Sequence, residues 1–145
     1  MADVSITGHP AGYGAEDFAK LLLRLLLGLL ILLHGIAKIK GGVDPILGAV
    51  GKTGLPEALG YLVYIGEVVA PILVIAGILT RLAALVIAVN MLVAVLLVHT
   101  RQVFTLASSG GWALELQASY LIVAVCIALL GAGRYSIGGA GSRWN

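Results

Sequence analysis

The sequence contains few charged residues, and this scarcity excludes most classes of soluble protein. Only 11% of the 145 residues are charged and 60% are hydrophobic, whereas an average soluble domain is about 25% charged and about 45–50% apolar. The mean hydropathy of +1.07 is typical of a chain that lies in lipid. Nine basic and seven acidic residues leave a net charge of +2 without a basic cluster. We therefore predict a lipid bilayer as partner and no nucleic acid.

Cofactor motifs are also scarce. The single cysteine, Cys126, excludes an internal disulfide, a Cys-x-x-Cys dithiol and a cysteine-ligated iron–sulfur cluster within the chain. The segment GAVGKT resembles the end of a phosphate-binding loop, but that pattern needs a glycine where this chain has Ile46. No histidine pair at i, i+4 and no Glu-x-x-His motif is present. We predict no metal, haem or nucleotide cofactor.

Long apolar runs dominate the rest of the chain. A helix needs about 20 residues to cross a hydrocarbon core of about 30 Å, and four segments qualify: 18–39, 58–79, 82–100 and 113–131. Because backbone groups in lipid must bond within their own segment, these spans are expected to be helices. The predicted fold class is all-α: an integral membrane bundle of four antiparallel transmembrane helices over residues 18–131. A polar tail, 1–17, precedes it, and a glycine-rich polar tail, 132–145, follows.

The segments that flank the spans carry their own predictions. The first apolar run lacks a small-x-small cleavage site, so we interpret it as a retained span rather than a signal peptide. The glycines and prolines of GGVDPILGAVGKTGLPEA, over residues 41–58, predict a short irregular or re-entrant loop. Spans 2 and 3 are separated only by Thr80 and Arg81, which predicts a tight hairpin.

Basic residues outside and at the ends of the spans give a small orientation bias. Five of them fall on the side of both termini and four on the opposite side, which favours cytoplasmic termini under the positive-inside rule. The two sets are Lys20, Arg24, Arg81, Arg134 and Arg143 against Lys38, Lys40, Lys52 and Arg101.

Polar side chains within the spans concentrate at two depths. A charge at the bilayer centre costs about 2.5–3.5 kcal/mol on insertion scales, so Arg24 and Glu67 are expected to face each other or a water-filled cavity. Helical periodicity places small residues beside them, on an inward stripe of each helix. The deeper level holds Arg24, Glu67 and Asn90, and the outer level holds His34, Lys38, His99 and Glu115.

Each of these residues also has a purely structural interpretation. Lys38 is most simply an anchor that extends its ammonium to the headgroup level. His34 and His99 are either interfacial hydrogen-bonding residues or groups that bind a ligand or transfer protons. Glu115 either complements the dipole of the fourth helix or joins the polar cluster. The two deep charges form either a structural pair or part of a functional site.

Several short motifs occur in a characteristic order. An arginine early in span 1 is followed by HGIAK, then by YIGEVVAPILVIAGILTR, by His99 at the end of span 3, by Glu115 at the start of span 4 and by GAGRYSI. Together these motifs, over residues 18–138, resemble the DoxX family. One departure is visible, because the family often has an acidic residue after the last motif, where this chain has Gly138 and Gly139.

The resemblance implies a small bacterial-type inner-membrane protein of four helices. It implies a relationship to the membrane subunit of thiosulfate:quinone oxidoreductase, and some family members are linked to membrane-associated oxidoreductase complexes and to oxidative stress. The positions that match the family's polar pattern are Arg24, His34, Lys38, Glu67, His99 and Glu115.

Three functions follow as hypotheses. The first is a quinone-linked redox subunit, with Asn90 added to those six residues as candidates for a ligand or proton site; electrons would come from a soluble redox partner. The second is a non-catalytic scaffold that recruits soluble redox enzymes through loops 41–57 and 101–112. The third is a carrier of small solutes or protons, which the absence of an inverted repeat disfavours. The lipid-facing surface also allows a homo-oligomer.

Overall fold

The computed structural model describes residues 14–139 and 141–145, and this part of the chain is helical, with no β-strand. Residues 1–13 of the predicted N-terminal tail lie outside the described residues. The helices are α1 (Ala15–Gly41), α2 (Asp44–Gly51), α3 (Glu57–Ala76), α4 (Thr80–Gln102) and α5 (Glu115–Leu130). The prediction of an all-α chain is confirmed.

Helices α1, α3 and α4 are each long and apolar enough to cross a membrane. Helix α5 is apolar but has only 16 residues, about 24 Å at about 1.5 Å per residue. Only about a third or less of the apolar stretch of each long helix is buried within the chain, 28%, 33% and 28% respectively. Large aliphatic side chains such as Leu33, Leu96 and Leu129 therefore remain exposed. This surface requires a lipid environment, so the chain is a multi-pass membrane protein.

A short helix of eight residues lies within the segment predicted as a loop. Helix α2 begins with Asp44 and Pro45, because an acidic residue suits the positive end of a helix and proline has no hydrogen bond to lose in the first turn. Gly60 of α3 lies against this helix, since a Cβ there would be 2.7 Å from Leu47 Cδ2 and 3.3 Å from the Leu47 backbone. The prediction of an irregular loop was therefore wrong for residues 44–51, whereas the re-entrant alternative stays a prediction.

A glycine turn joins α3 to α4. Gly77 has a left-handed backbone, with φ of 71°, and its N–H donates to the Val74 carbonyl while Ile78 N–H donates to the Leu73 carbonyl. These bonds end α3 in the manner of a Schellman motif. The predicted hairpin is present, but its turn lies at residues 77–79, and α4 already begins at Thr80.

The guanidinium of Arg24 connects three segments of the chain. The residue is only 1% exposed. Its Nε donates to the Val74 carbonyl and its Nη2 to the Ile75 carbonyl, both at 2.8 Å, while Nη1 donates to the carbonyls of Ala132 and Tyr135 at 2.7 Å. Carbonyls at the end of a helix lack intrahelical donors and carry its negative dipole. Arg24 thus binds the end of α3 and the segment after α5.

The predicted pairing of Arg24 with Glu67 was wrong. All the hydrogen bonds of Arg24 go to backbone carbonyls, and Glu67 bonds Lys38 and Asn90 instead. Arg24 and Lys38 are 14 residues apart on α1, which is about 21 Å along the helix axis. Glu67 lies at the level of Lys38, too far from Arg24 for contact.

The segment after α5 packs back onto the turn between α3 and α4. Ile137 N–H donates to the Ala76 carbonyl and Gly138 N–H to the Gly77 carbonyl, both at 3.0 Å. Thr80 donates its hydroxyl to the buried side chain of Asn145 at 2.8 Å. The predicted polar tail is therefore attached to the helices through Ile137, Gly138 and Asn145.

We expect Arg24→Lys to lower the free energy of unfolding by about 2–4 kcal/mol. The ammonium keeps the charge but cannot reach four carbonyls arranged for a guanidinium fork, and each buried acceptor left without a donor costs about 1–3 kcal/mol. Unfolding by denaturing detergent in mixed micelles measures the change. Arg101→Lys, at an exposed position, is the matched control and should change stability by no more than about 0.5 kcal/mol. Equal losses of stability in Arg24→Lys and Arg101→Lys would contradict the role of Arg24 in binding these carbonyls.

Candidate functional site

A small polar cavity lies between α1, α3, α4 and α5. Its volume is about 110 Å³, and each of the four helices contributes to its walls. Four of the residues predicted for the site, from three different helices, line it together: His34, Lys38, Glu67 and His99. The remaining lining residues are Ile31, Met91, Ala94, Leu116, Gln117 and Tyr120.

An ion pair between Lys38 and Glu67 forms one wall of this cavity. The Lys38 ammonium donates to Glu67 Oε2, and the Asn90 side-chain amide donates to Glu67 Oε1 at 3.3 Å. The Glu67 side chain is 6% exposed and that of Lys38 is 26% exposed. Both carboxylate oxygens therefore have partners. The interpretation of Lys38 as a headgroup anchor was wrong, because its ammonium turns inward to neutralise a buried charge.

Two glycines allow the helices to approach closely at this ion pair. A Cβ on Gly35 of α1 would overlap the Glu67 carbonyl group, 2.7 Å from its carbon, and a Cβ on Gly66 would be 2.5 Å from Asn90 Cγ. Small residues at such positions let neighbouring backbones touch. The predicted inward stripe on α1 is confirmed, since Gly28, Ile31 and Gly35 are all buried.

Two of the lining residues lie in π-helical turns. Glu67 belongs to Ile65–Val69 of α3 and His99 to Val95–His99 of α4. This backbone form accounts for well under 1% of residues in proteins and occurs mostly as single turns inside α-helices, frequently at functional sites. Its occurrence on two helices that face the same cavity is the strongest structural indication that the cavity has a function.

The two histidines each have one ring nitrogen engaged locally. His34 Nδ1 is 2.8 Å from the Leu30 carbonyl, and because a carbonyl only accepts, this nitrogen carries a proton. His99 Nδ1 lies 3.0 Å from Gln102 Oε1. Within the described residues, Nε2 of either ring makes no hydrogen bond. In the neutral form of His34, Nε2 is therefore an acceptor available to a ligand.

Three predicted site residues lie outside the cavity lining, and one of them, Asn90, is connected to it through its bond to Glu67. Arg24 is at the opposite end of α1 from Lys38, with its donors bound to carbonyls. Glu115 is exposed at the first turn of α5, and its carboxylate accepts the Trp112 N–H at 2.9 Å. The predicted convergence of Glu115 with His34, Lys38 and His99 was therefore wrong, because its side chain turns back to the Trp112 N–H in the loop before its own helix.

Sequence reasoning missed Gln117 and Tyr120. They are three residues apart on α5 and so share one helix face, and both line the cavity. This i, i+3 spacing was the only available signal. The aromatic ring of Tyr120 resembled an ordinary packing residue in a helix that is apolar all round.

The titratable residues around the cavity do not form a metal site. No group of three or more His, Cys, Asp or Glu residues lies close enough to hold a metal ion anywhere in residues 14–139 and 141–145. What the arrangement offers chemically is an internally neutralised ion pair, two imidazoles and a phenol around a small space.

The fold and the cavity define a multi-pass helical membrane protein with a buried polar site. The family model DoxX matches residues 19–100, more than half of the chain, and the chain belongs to the DoxX family. It is 27% identical over 88 residues to a Bacillus subtilis (strain 168) protein named "Putative oxidoreductase CatD". That match covers 61% of this chain and 65% of the relative, so the chain spans less than two thirds of the relative's length. No solved structure matches the chain.

We expect Gly35→Ala to destabilise the protein by about 1–3 kcal/mol, because the added methyl group overlaps the Glu67 backbone and forces α1 and α3 apart. Gly41→Ala is the matched control, since nothing lies within 4 Å of a Cβ at that position. The control should be neutral or slightly stabilising, because alanine favours the helix. Unfolding in mixed micelles compares the two, and a neutral Gly35→Ala would refute the close approach.

A double-mutant cycle tests the ion pair. Lys38→Met should destabilise the protein by about 3 kcal/mol, because removing one partner leaves the other charge buried. Glu67→Gln should cost less, since Lys38 is the more exposed partner and its ammonium can turn towards water. The double variant should lose less free energy of unfolding than the sum of the losses in the two single variants. Strict additivity of the two free-energy changes would show that these side chains do not interact.

Proposed function

We propose that this DoxX protein is a quinone-linked subunit of a membrane-associated redox system, with the polar cavity as its quinone site. Four antiparallel transmembrane helices surround that site in this proposal. Contacts of α1 with α3 support the arrangement, because Arg24 reaches the end of α3 while Lys38 reaches Glu67 nearer its start. The observation that carries the proposal is the pair of π-helical turns that bring Glu67 and His99 to one cavity.

The dimensions and lining of the cavity suit the headgroup of a quinone. Its volume of about 110 Å³ is of the same order as the engineered cavity of about 150 Å³ that binds benzene. Ile31, Met91 and Leu116 offer apolar contacts to the faces of a ring, and the polar residues offer hydrogen bonds to its oxygens. Ligand sites commonly combine a mostly apolar wall with a few placed polar groups.

A quinone takes up two electrons and two protons to become a quinol. The chain has one cysteine and no dinucleotide-binding motif, so in this proposal a soluble redox protein supplies the electrons. His34, His99, Lys38 and Glu67 supply or conduct the protons at membrane depth. The name of the Bacillus relative, an oxidoreductase, supports this class of function.

The membrane and orientation are part of the same proposal. We place the protein in a bacterial-type inner membrane with both termini in the cytoplasm, on the balance of basic residues. Arg24 is buried and Lys38 is ion-paired, so neither counts towards the charge bias. Four basic residues on the side of the termini then stand against three on the opposite side. The exposed aliphatic surface of α1, α3 and α4 also permits association with a second copy.

A second candidate function is a scaffold for soluble redox enzymes. The loop between α4 and α5 is ordered by an isolated β-bridge between Leu106 and Trp112 and by the Trp112 indole, which donates to the Val103 carbonyl at 2.8 Å. This ordered loop holds Phe104 98% exposed. Leu106 and Trp112 are also exposed in the same loop, 74% and 41% respectively, and a group of exposed apolar side chains is typical of a contact surface.

The test is mass spectrometry of the protein purified in mild detergent. We expect a co-purifying quinone in the wild type and about a tenfold lower occupancy in Glu67→Gln. A neutral amide holds Lys38 more weakly than a carboxylate does, and hydrogen bonds to charged groups contribute about 1.5–3 kcal/mol. Glu115→Gln, which makes the same change outside the cavity, is the control and should retain the quinone.

Absence of quinone from all three proteins, even after a quinone is added back, would refute the redox site. The scaffold would then be the better supported function, and identification of the soluble partner by crosslinking through the α4–α5 loop would follow.

A further inference from the structure

Tyr120 has an unused hydroxyl in a buried position. The residue is 8% exposed, and within the described residues its only polar contact is an aromatic one, with His34. A buried tyrosine hydroxyl usually has a hydrogen-bond partner. Every fully buried side-chain polar atom in the described part of the chain has a partner, so this hydroxyl must reach open space. The cavity is the space that Tyr120 lines.

Glu67 cannot recognise a quinone oxygen. It accepts hydrogen bonds from Lys38 and Asn90 and, as a carboxylate, cannot donate one to another acceptor. Lys38 keeps unused N–H groups, but its ammonium is held at Glu67. Within the described residues, the lining groups that make no hydrogen bond include the side chains of Gln117 and Tyr120 on α5 and Nε2 of His34. The ion pair therefore shapes and neutralises the cavity, whereas the α5 side can bind a polar atom of a ligand.

The His34 ring supports the position of Tyr120. The two rings meet edge to face, with centroids 5.9 Å apart and planes at 81°, a favourable geometry for aromatic pairs. Because His34 Nδ1 also donates to the Leu30 carbonyl, the imidazole is held from two directions. Its orientation limits where the Tyr120 ring can lie.

We propose that the Tyr120 hydroxyl donates a hydrogen bond to a ring oxygen of the ligand, with His34 as the residue that positions it. The ligand class is a small planar ring that carries an acceptor oxygen, with apolar faces that contact Ile31, Met91 and Leu116. A plain hydrocarbon chain does not fit this assignment, because it would cover the hydroxyl without giving it a hydrogen-bond partner. The inference rests on the proposed function and deepens it, since it assigns quinone recognition to α5 rather than to Glu67.

The test uses the full chain in lipid nanodiscs and decylubiquinone as the probe. We expect Tyr120→Phe, which removes one oxygen atom, to raise the Kd about 3- to 10-fold, the effect of losing one neutral hydrogen bond. Tyr61→Phe removes the same atom from an exposed ring that stacks on Tyr64. This control should leave the Kd unchanged.

Infrared difference spectra with carbonyl-labelled quinone give a readout that loss of packing alone would not produce. A carbonyl that accepts a hydrogen bond absorbs at lower frequency, so the band should be shifted in the wild type and return towards its free position in Tyr120→Phe. If Tyr120→Phe does not fold, the wild-type spectrum alone tests the inference. An unshifted quinone carbonyl band in the wild type overturns it.

The outcomes separate the two proposals. Binding by the wild type, with an unchanged Kd and an unchanged band in Tyr120→Phe, overturns the role of Tyr120 and leaves the quinone site standing. No binding of decylubiquinone to the wild type overturns both.

Discussion

Neutralisation of buried charge is the constraint on which this structure depends. Arg24 and Glu67 are both almost fully buried in a chain that lies in lipid, where an unpaired charge is strongly unfavourable. The chain neutralises them in two ways. The guanidinium binds backbone carbonyls at helix ends, and the carboxylate binds the Lys38 ammonium. Because Arg24 and Lys38 belong to the same helix, α1 fixes the end and the middle of α3 and thereby one side of the cavity.

Because buried charges must be neutralised, the residues that shape the cavity differ from those that remain free to bind a ligand. Lys38 and Glu67 bond each other, and this ion pair is supported by Asn90 and by the close helix contact at Gly35. Its effect is to hold α1, α3 and α4 at a fixed spacing. Within the described residues, lining groups that make no hydrogen bond remain on the imidazoles and on Gln117 and Tyr120 of α5. A polar residue deep in a membrane helix is therefore no guide by itself to which residue binds a ligand.

Helical periodicity in the sequence predicted the spans and their inward faces, including Gly35 and Glu67, because burial in lipid leaves a clear pattern of polar and small residues. The hydrogen-bond partners of Arg24 and Glu67 could not be predicted. They depend on how far α3 is displaced along α1, which no pattern within either helix encodes. The π-helical turns have no known sequence signature. Tyr120 was missed because an aromatic residue in an apolar helix resembles packing.

The hydrogen bonds of Arg24 to backbone carbonyls make the two ends of α1 differ in how they are held. A guanidinium stays protonated at every pH that a protein normally meets, and backbone carbonyls do not titrate. The contacts that Arg24 makes with the end of α3 and with Ala132 and Tyr135 are therefore indifferent to proton concentration. The other end of α1 depends on a single pair of side chains, Lys38 and Glu67, and one substitution removes it. The Arg24 end is thus fixed to the peptide backbone, which side-chain substitutions in α3 leave in place.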